Sequence, residues 1–388
     1  MFASEIAKII YAPQKTIRRI AEDPKYIGII VIIALFIVAN IGLSYAFATK
    51  VYLEQTVPNG SIADEWTANS TLWTSNAQIT ESDDYINGSY LGFTYYGNAS
   101  LQLKIANSSQ AWMQLGNIGP INCSGPDGYS KLSLRIKLVE PQIAPENATI
   151  HLSSTSPSDY FLYDISNNAS TFNIWNNLTI LLNSEAWSRI GAAPDWQNIT
   201  GLRLNFEWLQ SSNITLRVDG LFFHGPFESL INTVGTTSLF NTAISAFIQF
   251  VITWVVLAGL LYIMVRAFGG KPVWKPLLIV VGFILVPMIL QVVVFAVGYA
   301  ALPIRHYPFE LLGGVDAEGA AANNTILEQT FLVAQLETYM QIVTFIWSVA
   351  LCSLAVHLLY EFKWIKSIPI GVIAYFISIY AVRFILGF

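Results

Sequence analysis

Cysteine is nearly absent from this chain of 388 residues: Cys123 and Cys352 are its only two. The first lies in a polar stretch and the second in an apolar one, so no disulfide framework and no C-x-x-C pair is available. Charge is scarce too. Asp, Glu, Lys and Arg make up 12% of the residues, against about 25% in an ordinary soluble domain. A net charge of −5, with no basic stripe outside the flanks of apolar runs, gives no reason to expect nucleic acid as a partner, and none is expected. Histidine occurs only at His151, His224, His306 and His357, never in H-E-x-x-H or zinc-ligand spacing. Neither a phosphate-cradling glycine loop nor G-x-S-x-G is present. Asp83 and Asp84 fall in a Ser/Asn-rich turn and read as solvated, and His306 reads as an exposed loop residue. Asp219 has an oxygen ligand to offer a structural calcium, but no spaced acidic cluster accompanies it. The expectation is therefore a protein that is not an enzyme, with no catalytic residue, no cofactor and no metal.

Apolar residues fill the space that charge leaves, at 54% of the chain. A membrane span needs about 20 predominantly apolar residues, and five segments qualify: 27–48, 243–265, 277–299, 333–359 and 368–386. The first carries no charge. It reads as an uncleaved signal anchor, because its apolar core exceeds the roughly 7–15 residues of a secretory leader. Lys8, Lys15, Arg18, Arg19, Lys25, Arg266, Lys271, Lys275, Lys363 and Lys366 flank one side of these segments, and the short link 303–330 on the other side has only Arg305. Positive charge marks the cytoplasmic face, so the N-terminus is expected inside, with residues 49–240 and the C-terminus outside. The expected domains are a cytoplasmic amphipathic segment over 1–25, a first helix over 26–48, a β-sandwich over 49–228 and a membrane domain with helices two to five over 229–388.

Twelve N-x-[ST] sequons fit that orientation: Asn59, Asn69, Asn87, Asn98, Asn107, Asn122, Asn147, Asn168, Asn177, Asn198, Asn213 and Asn323. All lie in segments assigned to the outside, which reads as an N-glycosylated surface. Between 49 and 228 the apolar period is two. Leu101, Leu103 and Ile105 alternate with polar residues, as do Leu132, Leu134, Ile136 and Leu138, then Leu202, Leu204, Phe206 and Trp208. About eight short half-buried strands follow, separated by turns such as 124–128, in an antiparallel sandwich or jelly roll. Trp66, Trp73, Trp112, Trp175, Trp187, Trp196 and Trp208 lie here. Most are expected in the core; Trp66 and Trp73, beside polar turns, are the candidates for contact with a glycan.

WNNLTI at 175–180, WQNITGLRL at 196–204 and ITLRVDGLFF at 214–223 give this region a resemblance to galactose-binding-like jelly rolls and carbohydrate-binding modules, which implies their fold. A second resemblance runs through the apolar part. APQKTIRRIAEDPKY before the first span, the hairpin LYIMVRAFGGKPVWKPLLIVVGFILVPMIL at 261–290 and the stretch FIWSVALCSLAVHLLYEFKWIKSIPIGVIAYFI at 345–377 resemble the Ypt-interacting protein (Yip) family of five-span membrane proteins. That resemblance covers residues 1–48 and 240–388, in an archaeal-type arrangement with the β-domain inserted between helices one and two. It implies vesicle traffic and small GTPase partners.

Local chemistry supports the layout. Gly269 and Gly270 allow a tight cytoplasmic hairpin, and Pro287 interrupts a span. Glu337 and Arg383, charged residues inside spans four and five, are expected to pair across the bundle. The reading is a non-enzymatic organiser or scaffold at an archaeal plasma membrane. Its partners are the lipid bilayer, its own N-linked glycans and other membrane or surface proteins. A glycan-binding receptor or adhesin, and a transporter or its accessory subunit, are the alternatives.

Overall fold

The computed structural model describes residues 2–59, 64–86, 89–90, 93–94, 97–156, 158–309 and 317–387. The chain forms two compact units. One is helical, made of 1–51, 229–305 and 326–388; the other is built on β-strands, from 52–228 and 306–325.

Among the described residues, five helical segments are long and apolar enough to cross a membrane: Ile27–Ala48, Thr237–Ala267, Trp274–Ala301, Asn323–Tyr360 and Trp364–Leu386. They belong to α3 (Ile27–Ala48), α4 (Leu230–Ala267), the pair α5 (Trp274–Ile284) and α6 (Val286–Ala301), α7 (Ala317–Tyr360) and α8 (Trp364–Leu386). Two interruptions have local causes. Gly235, at φ 64°, breaks α4 near its start, and Pro287, unable to donate a backbone hydrogen bond, stands at the head of α6 just after the break at Leu285. The α4–α5 hairpin turns at Gly269, whose φ of 88° suits a residue without Cβ.

Two short helices precede the first span, α1 (Phe2–Tyr11) and α2 (Pro13–Glu22). Pro13 occupies the first turn of α2, where a missing N–H costs nothing. An amphipathic face of this kind is expected to lie in the headgroup plane. Instead Ile9, Ile17 and Ile20 are buried in the same core as Ile29, Phe36 and Leu277. Protein covers that face, and the half-exposed guanidinium of Arg19 reaches back to Glu5 at 3.4 Å.

The other unit is antiparallel, and two strands dominate it: β6 (Ser100–Ile121) and β12 (Ile199–Ser229), which pair with each other along most of their length. Register shifts between Glu207 and Ile214 divide the ribbon. The early half of β12 also pairs with β8 (Asn147–Ser153), which continues to β9 (Tyr160–Asp164) and β11 (Ser188–Ile190). Its later half pairs with β7 (Lys131–Glu140), which continues to β10 (Asn176–Leu181). β6 adds β2 (Trp73–Ser75) to the first layer and β3 (Gln78–Ser82) to the second. Two short strands, β1 (Val51–Val57) and β13 (Arg305–Tyr307), pair with one another, and β4 (Ser89–Tyr90) pairs with β5 (Phe93–Thr94). Inward side chains of both layers meet in a single core, with Leu202, Leu204 and Phe206 from one and Leu132, Leu134 and Ile136 from the other. The alternation in sequence is thus a pleat with one face buried. Where eight or so short strands are expected, two long ones carry both layers.

Candidate functional site

The β-unit brings three groups of chemistry-bearing residues together. The first is a pair of carboxylates. Gly220, at φ 62°, kinks β12 between the partners of Asp219 and Phe222, and the turn holding Asp64 packs there. Both Asp64 and Asp219 are fully buried. Every oxygen of the pair accepts a hydrogen bond. Thr67 N donates to Asp64 Oδ1 at 3.1 Å, Gly220 N to Asp64 Oδ2 at 2.6 Å, and Ile86 N to Asp219 Oδ2 at 2.7 Å. Asp219 Oδ1 faces Gly220 N at 2.9 Å and the Thr67 hydroxyl at 3.3 Å, and that hydroxyl also bonds Asp64. Burial, then the charge of Asp64, pushes the Asp219 carboxyl up to about 8; burial likewise raises Asp64. Two buried carboxyls held this close share a proton. The set does not fit calcium. Three backbone N–H groups point at the oxygens a cation would need, and among the described residues no three His, Cys, Asp or Glu side chains group around one point.

The second group is Ser133, His224 and Glu54. Ser133 Oγ lies 2.7 Å from His224 Nε2, and His224 Nδ1 lies 3.3 Å from Glu54 Oε2. Glu54 also accepts from Phe309 N at 2.8 Å. Burial alone would raise the Glu54 carboxyl, but the hydrogen bond and charge of His224, with the Phe309 amide, hold it below the ordinary carboxylate value. The order Ser–His–Glu is that of a hydrolytic triad. Access is missing. Ser133 and His224 are 2% and 4% exposed, and Ser133 sits mid-strand between Phe222 and Thr179, not on the exposed elbow that a nucleophile needs. The array ties β1, β7 and β12 together through buried, satisfied polar groups.

The third group is open. On the outward face of the first layer, the Arg203 guanidinium lies over the half-buried Trp112 ring at 4.3 Å, and Arg203 Nε donates to Asn205 Oδ1 at 2.8 Å. Asn205 Nδ2 and Thr149 Oγ1 reach His151 Nε2 at 3.0 and 3.1 Å. The His151 ring stacks on Tyr160 at 4.8 Å and 12°. Burial, then the Arg203 charge, lowers His151 to about 4, so the imidazole is neutral near pH 7 and two aromatic platforms are joined by neutral and cationic hydrogen-bonding groups.

Several expected site residues lie elsewhere. Trp66 and Trp73 are buried, 8% and 6% exposed, with Trp73 Nε1 donating to the Trp66 carbonyl at 2.7 Å; neither ring is available to a glycan. Asp84 is half-buried and accepts from Lys137 Nζ at 2.8 Å and from Arg217, so it is paired, not merely solvated. His306 is exposed, but in β13, packed beside the Tyr52 and Phe227 rings. Glu337 and Arg383 make no ion pair within 4.0 Å; Arg383 is exposed and Glu337 half-buried. Among the sequon residues, Asn59, Asn98, Asn107, Asn122, Asn147, Asn168, Asn177 and Asn213 are exposed. Asn69, Asn198 and Asn323 are half-buried, and Asn87 lies outside the described residues. Nothing local announces the Ser133 and His224 contact, because the partners are 91 positions apart. The open face was hidden for the same reason, although Arg203, Asn205, Thr149 and His151 do occupy the polar phase of their strands.

The model of the Yip1 domain matches residues 180–385. The match starts inside the β-unit and leaves out the first helix. Among solved structures, the chain is similar to the family 11 carbohydrate-binding module from Clostridium thermocellum in complex with a β-1,3-1,4-mixed-linked tetrasaccharide. There the identity is 14% and the TM-score 0.29, over 45% of this chain and 96% of that one. It is also similar to a family 30 module of cellulosomal cellulase Cel9D-Cel44B of Clostridium thermocellum, at 14% identity and TM-score 0.27 over 41% and 91%. A β-1,2-glucanase from Parabacteroides distasonis is similar at 15% identity and TM-score 0.27, over 39% of this chain and 22% of that one. No curated protein matches.

Proposed function

The chain belongs to the Yip1 domain family, and from that membership we propose that it is a non-enzymatic, multi-pass membrane protein that organises or scaffolds its membrane. In this reading it holds a glycosylated β-domain outside an archaeal-type plasma membrane. The observation that carries the membrane half is the surface of the helical unit. Val38, Phe240, Ile263, Val297, Leu332 and Phe384 are each more than half exposed on helices long enough to span, and apolar side chains in that density are tolerated in lipid and not in water. The N-terminus inside and the β-domain outside follow from the Lys and Arg flanks; the sequons support the same side.

The test has two parts. The full-length protein is expected to stay in the membrane through alkaline carbonate extraction, and protease added to intact cells is expected to remove the β-domain. Recovery in the soluble fraction, or cleavage only in inverted vesicles, overturns the placement. The organiser role predicts that the protein migrates in native gels as a complex with other membrane proteins; a bare monomer with no co-purifying protein counts against it.

A second reading rests on one observation, the open face joining Trp112, Arg203, Asn205, His151 and Tyr160. Rings that offer a flat apolar surface beside fixed hydrogen-bonding groups suit the alternating C–H and O–H faces of a sugar. Binding of full-length protein to a glycan array, lost in Trp112→Ala and Tyr160→Ala, favours a glycan receptor or adhesin. An array without binding removes that reading.

A further inference from the structure

The helical unit contains a cavity that this role leaves unused. It has a volume of about 620 Å³ and is lined by Arg18 and Glu22 of α2, Lys271 and Val273 of the α4–α5 hairpin, and His357 and Glu361 at the end of α7. Sites for small ligands run to about 300–1,000 Å³. Its charges are of both signs and unspent. Arg19 is paired with Glu5, and Lys25 with Asp23. Arg18, Lys271, Glu22 and Glu361 are exposed, and no ion pair within 4.0 Å engages any of them among the described residues. His357 Nδ1 lies 2.6 Å from the Phe362 carbonyl and its ring stacks on Trp364 at 4.4 Å. The Nδ1–H must therefore donate there, which leaves Nε2 for a ligand.

Position narrows the ligand. Tyr360 closes α7, and Trp274 and Trp364 open α5 and α8, a girdle of aromatic residues of the kind found at headgroup depth. We propose that this cavity binds the headgroup of a phospholipid carrying both a phosphate and a primary ammonium. Arg18 and Lys271 take the phosphate and Glu22 and Glu361 the ammonium, while Val273 lines the way to the glycerol. The inference rests on the helical unit being embedded in a membrane. A purely anionic ligand leaves two carboxylates facing it unpaired. A quaternary ammonium has no N–H to donate to them.

The test uses full-length protein, delipidated in detergent and examined by native mass spectrometry. It is presented with phosphatidylethanolamine, phosphatidylcholine and phosphatidylglycerol of identical chains. Phosphatidylethanolamine is expected to bind about tenfold more tightly than phosphatidylcholine, the worth of one charge-assisted hydrogen bond. Arg18→Gln with Lys271→Gln should weaken its binding by at least that factor. Glu22→Gln with Glu361→Gln should bring it down to the phosphatidylcholine level and leave phosphatidylglycerol no weaker. Soluble phosphoethanolamine is expected to displace the lipid, and inorganic phosphate is not. Equal binding of the ethanolamine and choline lipids overturns the proposal, as does an unchanged affinity in the first double variant. Displacement by inorganic phosphate as effective as by phosphoethanolamine assigns the cavity to free phosphate instead. All four positions are exposed, so both variants should keep the parent's melting temperature. Carbonate extraction separates the two levels: a protein that stays in the membrane without headgroup preference loses this site and keeps its membrane role.

Discussion

At the scale of single residues, the buried carboxyl pair sets a pH dependence opposite to the usual one for acids. Most carboxylates in folded proteins are stabilised in their charged form, and stability is lost on acidification. Asp219 is held at about 8, far above its unfolded value. The folded state therefore binds more protons than the unfolded state between these limits, and stability falls as pH rises. The contribution is fully present below the unfolded carboxylate value and lost as pH passes about 8. Denaturant unfolding of the full-length protein, followed by tryptophan fluorescence of the β-unit, is expected to show lower stability at pH 8 than at pH 5. Asp219→Asn should flatten the slope, because the amide keeps the neutral form at every pH. One pKa unit corresponds to about 1.4 kcal/mol, so the slope is measurable. Stability that holds or climbs toward pH 8 would sink the shared-proton account.

Ser133 gives the second prediction at this scale. If the Ser133–His224–Glu54 array is a fastening, Ser133→Ala leaves the imidazole nitrogen without its partner and destabilises the β-unit by roughly 1–3 kcal/mol. A fluorophosphonate probe should then leave intact wild-type protein unlabelled. Covalent labelling at Ser133 would reverse the non-enzymatic reading outright.

Among the elements, close packing in the helical unit depends on particular glycines. A methyl group on Gly371 of α8 would meet the Ser353 backbone nitrogen of α7 at 2.8 Å, as well as its hydroxyl. Backbone cannot move aside as a side-chain tip can, and small residues are what let membrane helices approach. Gly371→Ala is expected to cost about 1–3 kcal/mol, read as a lower melting temperature in detergent. Gly259 of α4 has nothing within 4 Å of the same position; Gly259→Ala should be neutral or slightly stabilising, since alanine is the better helix former. Equal behaviour of the two variants would mean that α7 and α8 do not meet at Gly371.

Elements also show what the sequence could reveal. The helix Ile27–Ala48 was legible because length and lack of charge decide a span locally. Leu132, Leu134, Ile136 and Leu138 were legible as one face of a strand, and all four are buried. The continuity of β12 was not. The alternation read over Leu202, Leu204, Phe206 and Trp208 stops there, yet the structure carries the strand on through QSSN at 210–213 with a register shift, and only pairing with β6 fixes that. Trp66 and Trp73 sit in polar sequence and are buried by a fold that closes over them. Their exposure was a property of tertiary structure from the start, as was the spacing of Glu337 and Arg383.

On the scale of the whole molecule, the reading that joins both units is one of sides, and the sequons offer a way to test it that does not depend on helix counting. N-glycosylation takes place only on the outer or lumenal side of a membrane, and it requires an asparagine whose amide is free. Seven exposed sequon residues of the β-unit, Asn98, Asn107, Asn122, Asn147, Asn168, Asn177 and Asn213, meet the second condition. Asn198 does so less well, because its Nδ2 donates to Thr155 Oγ1 at 3.0 Å, and Asn69 accepts from the Thr71 amide and hydroxyl. Glycopeptide mass spectrometry of protein from its native membrane is expected to find glycan on a majority of the exposed positions, with lower occupancy at Asn69 and Asn198. The pattern separates two explanations of a glycan-free result at a given residue. Loss confined to the half-buried sites reflects local geometry and leaves the orientation standing. Bare asparagine at every exposed site, in protein whose host glycosylates other surface proteins, would put the β-unit on the cytoplasmic side, and with it every conclusion about what that unit meets.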